Sequence, residues 1–145
     1  MDAFEAISLP EPSAITGKKL FSAAEANRSL VLVRRIVADI VRAYRKLREL
    51  HENYQRLDQQ GEIFEAEEVR QEYVVNTDQL SELREELEGV GCELKDFEMG
   101  LVDFPSIRDG REVYLCWNLG EQQVTHWHEV SAGFAGRKPL DGITA

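Results

Sequence analysis

Two seams of apolar residues that stay in step about one turn constrain this chain more than any other feature. From Leu30, seam positions recur at Val33, Val37, Ile40, Tyr44, Leu47, His51 and Tyr54, in alternating steps of three and four. That is the a/d spacing of a helix that packs along another helix. Gln59-Gln60-Gly61-Glu62 interrupts it and reads as a turn. A second seam follows at Val69, Tyr73, Asn76, Leu80, Leu83, Leu87 and Val90. Folding the chain back at Gly61 pairs Tyr54 with Val69, His51 with Tyr73, Leu47 with Asn76 and so on to Val33 with Val90. Each pair of residue numbers sums to 123 or 124. The spacing therefore predicts a coiled-coil-like antiparallel helical hairpin over residues 18–91, each arm about 45–55 Å long. Phe21-Ser22-Ala23-Ala24-Glu25 supplies its start: Ser22 and Glu25 form a capping box, and Phe21 stands where it can staple onto Ala26. Gly89 and Gly91 end it, one of them as a left-handed cap. His51 and Asn76 interrupt the seams close to each other and read as a polar pair that fixes register. The runs at 42–48 and 82–88 carry opposite charge along facing arms and read as salt-bridged, solvated faces.

The first arm carries a second stripe, Leu32, Ile36, Ala43, Leu50 and Leu57. One partner helix cannot cover two stripes, so a further partner is expected. With only about 50 residues left downstream, a second copy forming a four-helix bundle is the favoured one.

Charge bounds the partners. The chain has 27 acidic against 17 basic residues, net -10, which repels nucleic acid and anionic membrane surfaces. No apolar run is long enough to span a bilayer. Met1-Asp2-Ala3-Phe4-Glu5 lacks the basic and apolar regions of a secretory signal. Cys92 and Cys116 give no disulfide framework, so a reducing cytoplasm is expected. Residues 1–17, broken by Pro10 and Pro12, read as a flexible tail.

After Cys92 the period switches from helical to alternating, and residues 92–145 read as a small three-stranded antiparallel sheet with a glycine-rich C-terminal loop. Leu101-Val102-Asp103-Phe104-Pro105 is the first strand, with Pro105 marking an edge. Asp109-Gly110 is a two-residue hairpin turn, which sets Asp103 opposite Cys116 and Phe104 opposite Leu115. A looser turn, Asn118-Leu119-Gly120-Glu121-Gln122, leads to a third strand over residues 124–129. Placing Trp127 on the apolar face opposite Val113 puts His126 opposite Tyr114 and His128 opposite Glu112. The apolar face, with Val102, Phe104, Val113, Leu115 and Trp117, is expected to pack on the end of the hairpin. Asp103, Tyr114, Cys116, His126 and His128 then share the other face, and a slip of one residue would undo this. The fold class is α+β, one domain overall.

The C-terminal motifs resemble those of a known family. Leu94-Lys95-Asp96, Gly100-Leu101-Val102-Asp103-Phe104-Pro105, Gly110-Arg111-Glu112-Val113-Tyr114-Leu115-Cys116-Trp117, Gly120-Glu121, Trp127-His128-Glu129 and Gly133-Phe134-Ala135-Gly136-Arg137-Lys138-Pro139 are similar to an uncharacterised bacterial family, the domain of unknown function 2203. The resemblance runs from Phe21 to about Leu140. It implies a bacterial origin and that these polar residues occur as a set, and it brings no catalytic assignment.

Three groups of residues carry candidate chemistry. His126 and His128 form an H-x-H on one strand face, beside Asp103 and Cys116, and this N, S and O donor set suits a divalent metal such as zinc. The plain alternative pairs the histidines with Glu112 and Glu129 and leaves Cys116 as a small buried residue. Gly136 and Arg137 in the glycine-rich loop offer a small anionic ligand backbone amides and a guanidinium, unless Arg137 pairs with Asp103, Asp96 or Glu129. Glu121 is a base or ligand if its turn folds over the face, and otherwise a solvated turn residue. No G-x-S-x-G elbow is present. Whether the chain is an enzyme stays open. The leading reading is a non-catalytic, dimerising interaction or regulatory protein; the alternative is a metal- or anion-binding enzyme or sensor.

Overall fold

The computed structural model describes residues 19–140, so the expected tail lies outside the described residues. Helix α1 spans Ala23–Gln59 and α2 spans Ile63–Val90. The capping box forms in both directions: the Glu25 amide donates to Ser22 Oγ at 3.1 Å, and the Ser22 amide to Glu25 Oε1 at 3.0 Å. Phe21 reaches the sheet. Its ring meets Phe104 edge-on at 5.1 Å, and its amide donates to the Pro105 carbonyl at 2.7 Å. The device that starts α1 thus also ties it to the sheet. Gly61 turns the chain at φ +75°, and Gly91, not Gly89, is the left-handed cap of α2.

Helix α2 buries Ala66, Tyr73, Leu80 and Leu87, one residue per heptad, with Val69, Leu83 and Val90 half-buried between them. His51 meets Tyr73 as the seam predicts, ring centroids 6.4 Å apart. Asn76 instead turns its amide to the Glu72 carbonyl of its own helix, so the expected His51–Asn76 register pair is replaced by a His51–Tyr73 ring contact. Of the oppositely charged runs, Lys46 bridges to Glu72 across the hairpin. Arg42 pairs with Asp39, Arg84 with Glu88, and Arg48 with Glu98 beyond α2.

The sheet has five strands, not three: β1 Glu93–Asp96, β2 Leu101–Arg108, β3 Arg111–Asn118, β4 His126–Glu129 and β5 Lys138–Pro139, all antiparallel and in chain order. The two extra strands are four and two residues long, too short to show a period. The β2–β3 register agrees with the sequence, and Asp109 and Gly110 both hold positive φ. Pro105 lies in an interior strand, but β1 pairs only as far as Asp103. That side of β2 is open beyond Asp103, and Phe21 fills it. β4 sits two residues from the expected register: Trp127 opposes Leu115, His128 opposes Tyr114, and His126 opposes Cys116. The cause is Val124. It is buried and sewn to α1 by two bonds with Asn27, at 2.7 and 3.4 Å, which keeps residues 124 and 125 out of the strand. Because the shift is even, every side chain keeps its expected face.

The sheet does not cap the end of the hairpin; it lies along the flank of α1. Phe21, Asn27, Arg34, Tyr44 and Arg48 reach it in turn, the Tyr44 ring stacked on Phe97 at 5.4 Å. Ile36 and Leu50 of the surplus stripe are buried within the chain, Ala43 and Leu57 are half-buried, and Leu32 stays exposed. The inner face of the sheet buries Val102, Phe104, Val113, Leu115, Trp117 and Trp127, each worth about 1.5–3 kcal/mol or more. No helix among the described residues is long and apolar enough to cross a membrane.

Gly100 makes the closest approach between the layers. It holds φ +73°, and a Cβ there would stand 2.9 Å from Val37 Cγ1 and from Leu119 Cβ. Gly61 has positive φ but open space around it. Gly100→Ala is expected to cost about 3 kcal/mol, from strain plus overpacking, and Gly61→Ala about 1 kcal/mol. Urea midpoints with unchanged m-values will read the difference.

Candidate metal centre

Alternation along the strands gives the sheet a second, polar face. Glu93 on β1, Asp103 on β2 and Cys116 on β3 form one cross-strand row, and His128 on β4 lies one row away opposite Tyr114. All four of these titratable side chains are buried, at 0–3% exposure, which is rare for carboxylates unless they are paired. Asp103 Oδ1 and His128 Nε2 are 2.9 Å apart. His128 Nδ1 lies 2.7 Å from the Glu129 carbonyl. A carbonyl only accepts, so Nδ1 carries a proton and the ring presents Nε2 to the cluster.

Donor atoms of Asp103, Cys116 and His128 all lie within 4.8 Å of one another. Tetrahedral zinc ligands stand roughly 3.5 Å apart, so closing this group on an ion takes a contraction of about 1 Å. His126, the fourth expected ligand, stands outside the group. It opposes Cys116, but its Nδ1 pairs with Thr125 Oγ1 at 2.9 Å.

The glycine-rich loop closes over this face. Residues 134–136 form a single 3-10 turn, and the Leu140 amide donates to the Thr125 carbonyl. Arg137 stacks on Phe134 and pairs with Glu121, Nη1 to Oε2 at 3.0 Å. Glu121 also accepts from the Asn118 amide, and its own carbonyl accepts from Trp117 Nε1. The sequence alternatives for Arg137 named three other acids; its partner is Glu121, brought near by the turn after β3. The Gly136 and Arg137 amides bond to the Gly133 and Phe134 carbonyls. The amides expected to hold an anion are thus engaged within the loop, and the guanidinium is paired with Glu121. Beneath it is a pocket of about 190 Å³ lined by Lys95, Asp103, Tyr114, His128, Val130 and Phe134, among others. A larger groove between the helices is open and lined by exposed charged side chains, and gathers no buried polar cluster.

Electrostatics follow from burial. The Cys116 thiol is pushed up to about 12 by burial, and the Asp103 charge adds to this against Arg137. That leaves it protonated and a poor nucleophile. Tyr114 also rises to about 12, through burial and the Glu93 carboxylate near it. His128 is raised by its bond to Asp103, against burial.

A family comparison covers most of these elements. The family described as an uncharacterized conserved protein, DUF2203, matches residues 19–140. The chain belongs to the DUF2203 family. No curated protein and no solved structure matches it. The description assigns no activity, so the roles of these DUF2203 residues rest on geometry. Glu93 is the member that sequence reasoning misses: it sits in a four-residue strand, and its only signal is alternation with the buried Leu94.

His128 gains a proton affinity above its free value of 6.5 on folding. Its pairing with Asp103 therefore stabilises the fold in full below about pH 6.5, and the contribution is lost as pH rises through the raised value. In chelator, the wild type is expected to lose more stability than His128→Gln between about pH 6 and pH 9, measured by urea midpoints.

Proposed function

We propose that this DUF2203 protein binds a divalent metal ion of the zinc type on the polar face of its sheet, through Asp103, Cys116 and His128. The observation that carries the reading is the buried trio itself: one carboxylate, one thiol and one imidazole on three successive strands, donor atoms within 4.8 Å. The mix of O, S and N donors is one zinc accepts. The bond from His128 Nδ1 to the Glu129 carbonyl is the outer-shell contact that holds a ligating imidazole in its tautomer. An ion here replaces the proton between His128 and Asp103 and displaces the thiol proton, so affinity rises with pH.

Protein purified without a histidine tag and reconstituted with zinc is expected to hold one ion per chain by elemental analysis. His128→Ala and Cys116→Ala are expected to lose it, and His126→Ala to keep it. A wild-type chain that takes up no stoichiometric metal from a zinc-buffered solution sinks the reading.

A second reading, a homodimeric interaction protein joined through the hairpin, keeps support from apolar side chains left open on the helices. Val31, Leu32 and Val75 are exposed, as are Ile63 and Phe64 at the tip. Burial of Ile36 and Leu50 inside the chain removes much of the stripe that argued for it. Light scattering at micromolar concentration decides: a mass of twice the chain supports the dimer, and the mass of one chain refutes it.

A further inference from the structure

One buried group of the polar face takes no part in the trio. Glu93 is fully buried, and its Oε2 has no hydrogen-bond partner among the described residues. Lys95 Nζ holds the other oxygen at 2.8 Å. A buried carboxylate oxygen without a donor loses its hydration and gets nothing back, which is uncommon in a folded protein and points to a missing water or ion. The position of Glu93 narrows the choice. Its Cα partner across the sheet is Asp103, the first donor of the trio, and directly opposed side chains start about 5 Å apart at Cβ. On its other side stands Tyr114, whose ring lies 5.5 Å from the imidazole of His128. Glu93 thus flanks the trio on its Asp103 side, with its carboxylate outside the group that the three donors form.

We propose that Glu93 is the fourth ligand, its vacant Oε2 turning toward the ion when the trio is loaded. The inference rests on the metal reading above and extends it. Glu93, Asp103, Cys116 and His128 come from β1, β2, β3 and β4, one donor from each of four consecutive strands. Four protein donors close a tetrahedral site, as in structural zinc centres, where catalytic ones leave a position for water. The ion therefore staples the sheet, and its role is to hold the fold together. Lys95, bonded to Oε1, holds Glu93 in orientation for that task.

Cobalt(II) titration tests this, because its visible spectrum reports coordination number and its thiolate charge-transfer band reports Cys116. Wild type is expected to give a four-coordinate spectrum with that band and a raised melting temperature on loading. Glu93→Gln is expected to lose at least about tenfold in affinity, to change the spectrum away from the four-coordinate form, and to lose most of the melting-temperature gain. Glu93→Asp, which keeps a carboxylate, restores part of the affinity and guards against a variant that simply folds poorly. If wild type loads and Glu93→Gln matches it in affinity, spectrum and melting gain, Glu93 is not a ligand and the three-donor site stands. If wild type shows no cobalt uptake and no charge-transfer band, both proposals fall together.

Discussion

Helix α1 has to serve two partners at once, and the rest of the architecture follows from that. One stripe, with the buried Leu30, Val33, Ile40, Leu47 and Tyr54, runs along the seam toward α2. Another flank carries the sheet, through Phe21, Asn27, Arg34, Tyr44 and Arg48. A helix that satisfied α2 alone would leave the inner face of the sheet, with two tryptophans and Phe104, in water. The two contacts also explain the unequal apolar content of the helices: α1 buries ten residues and α2 four.

Packing on one face leaves the other free to be polar, and alternation does the rest. Side chains at Glu93, Asp103, Cys116 and His128 point away from α1 because Leu94, Val102, Phe104, Leu115, Trp117 and Trp127 point toward it. Burying that polar face is costly unless its charges meet partners. The loop that ends in β5 supplies the cover, and the Asp103–His128, Glu93–Lys95 and Glu121–Arg137 pairs compensate most of the charge. The cluster is thus a consequence of the same alternation that builds the core.

Much of this was legible in the sequence because it rests on periods. The paired seams, the capping box and the Asp109-Gly110 turn each carry a local signal that no tertiary contact overrides. Placing Asp103 beside Cys116 needed only the turn. The register of β4 was not legible, since it depends on Asn27, about a hundred residues away, drawing Val124 out of the strand. Parity puts His126 on the right face, and its place opposite Cys116 puts it in the same row; its ring nonetheless pairs with Thr125 and stands outside the group of three donors. Strand β1 is four residues long, too short to show a period, and Glu93 stays hidden with it. The position of the sheet against the flank of α1 was hidden for a similar reason: a stripe of apolar residues says that something covers it, and not what.

Among the described residues, the hydrogen bonds and ring contacts that join α1 and its Phe21 lead-in to the sheet and its loops come from the stretch between Phe21 and Arg48. Beyond that, the described residues form a pair of helices ending in Ile63 and Phe64, which are 75% and 84% exposed. Backbone amides near the tip are guarded by one layer of packing, and those near the sheet by two. Opening should then cost progressively less free energy toward Gly61. Amide hydrogen exchange would record this as a gradient along both helices, with the free end fraying while the base stays closed.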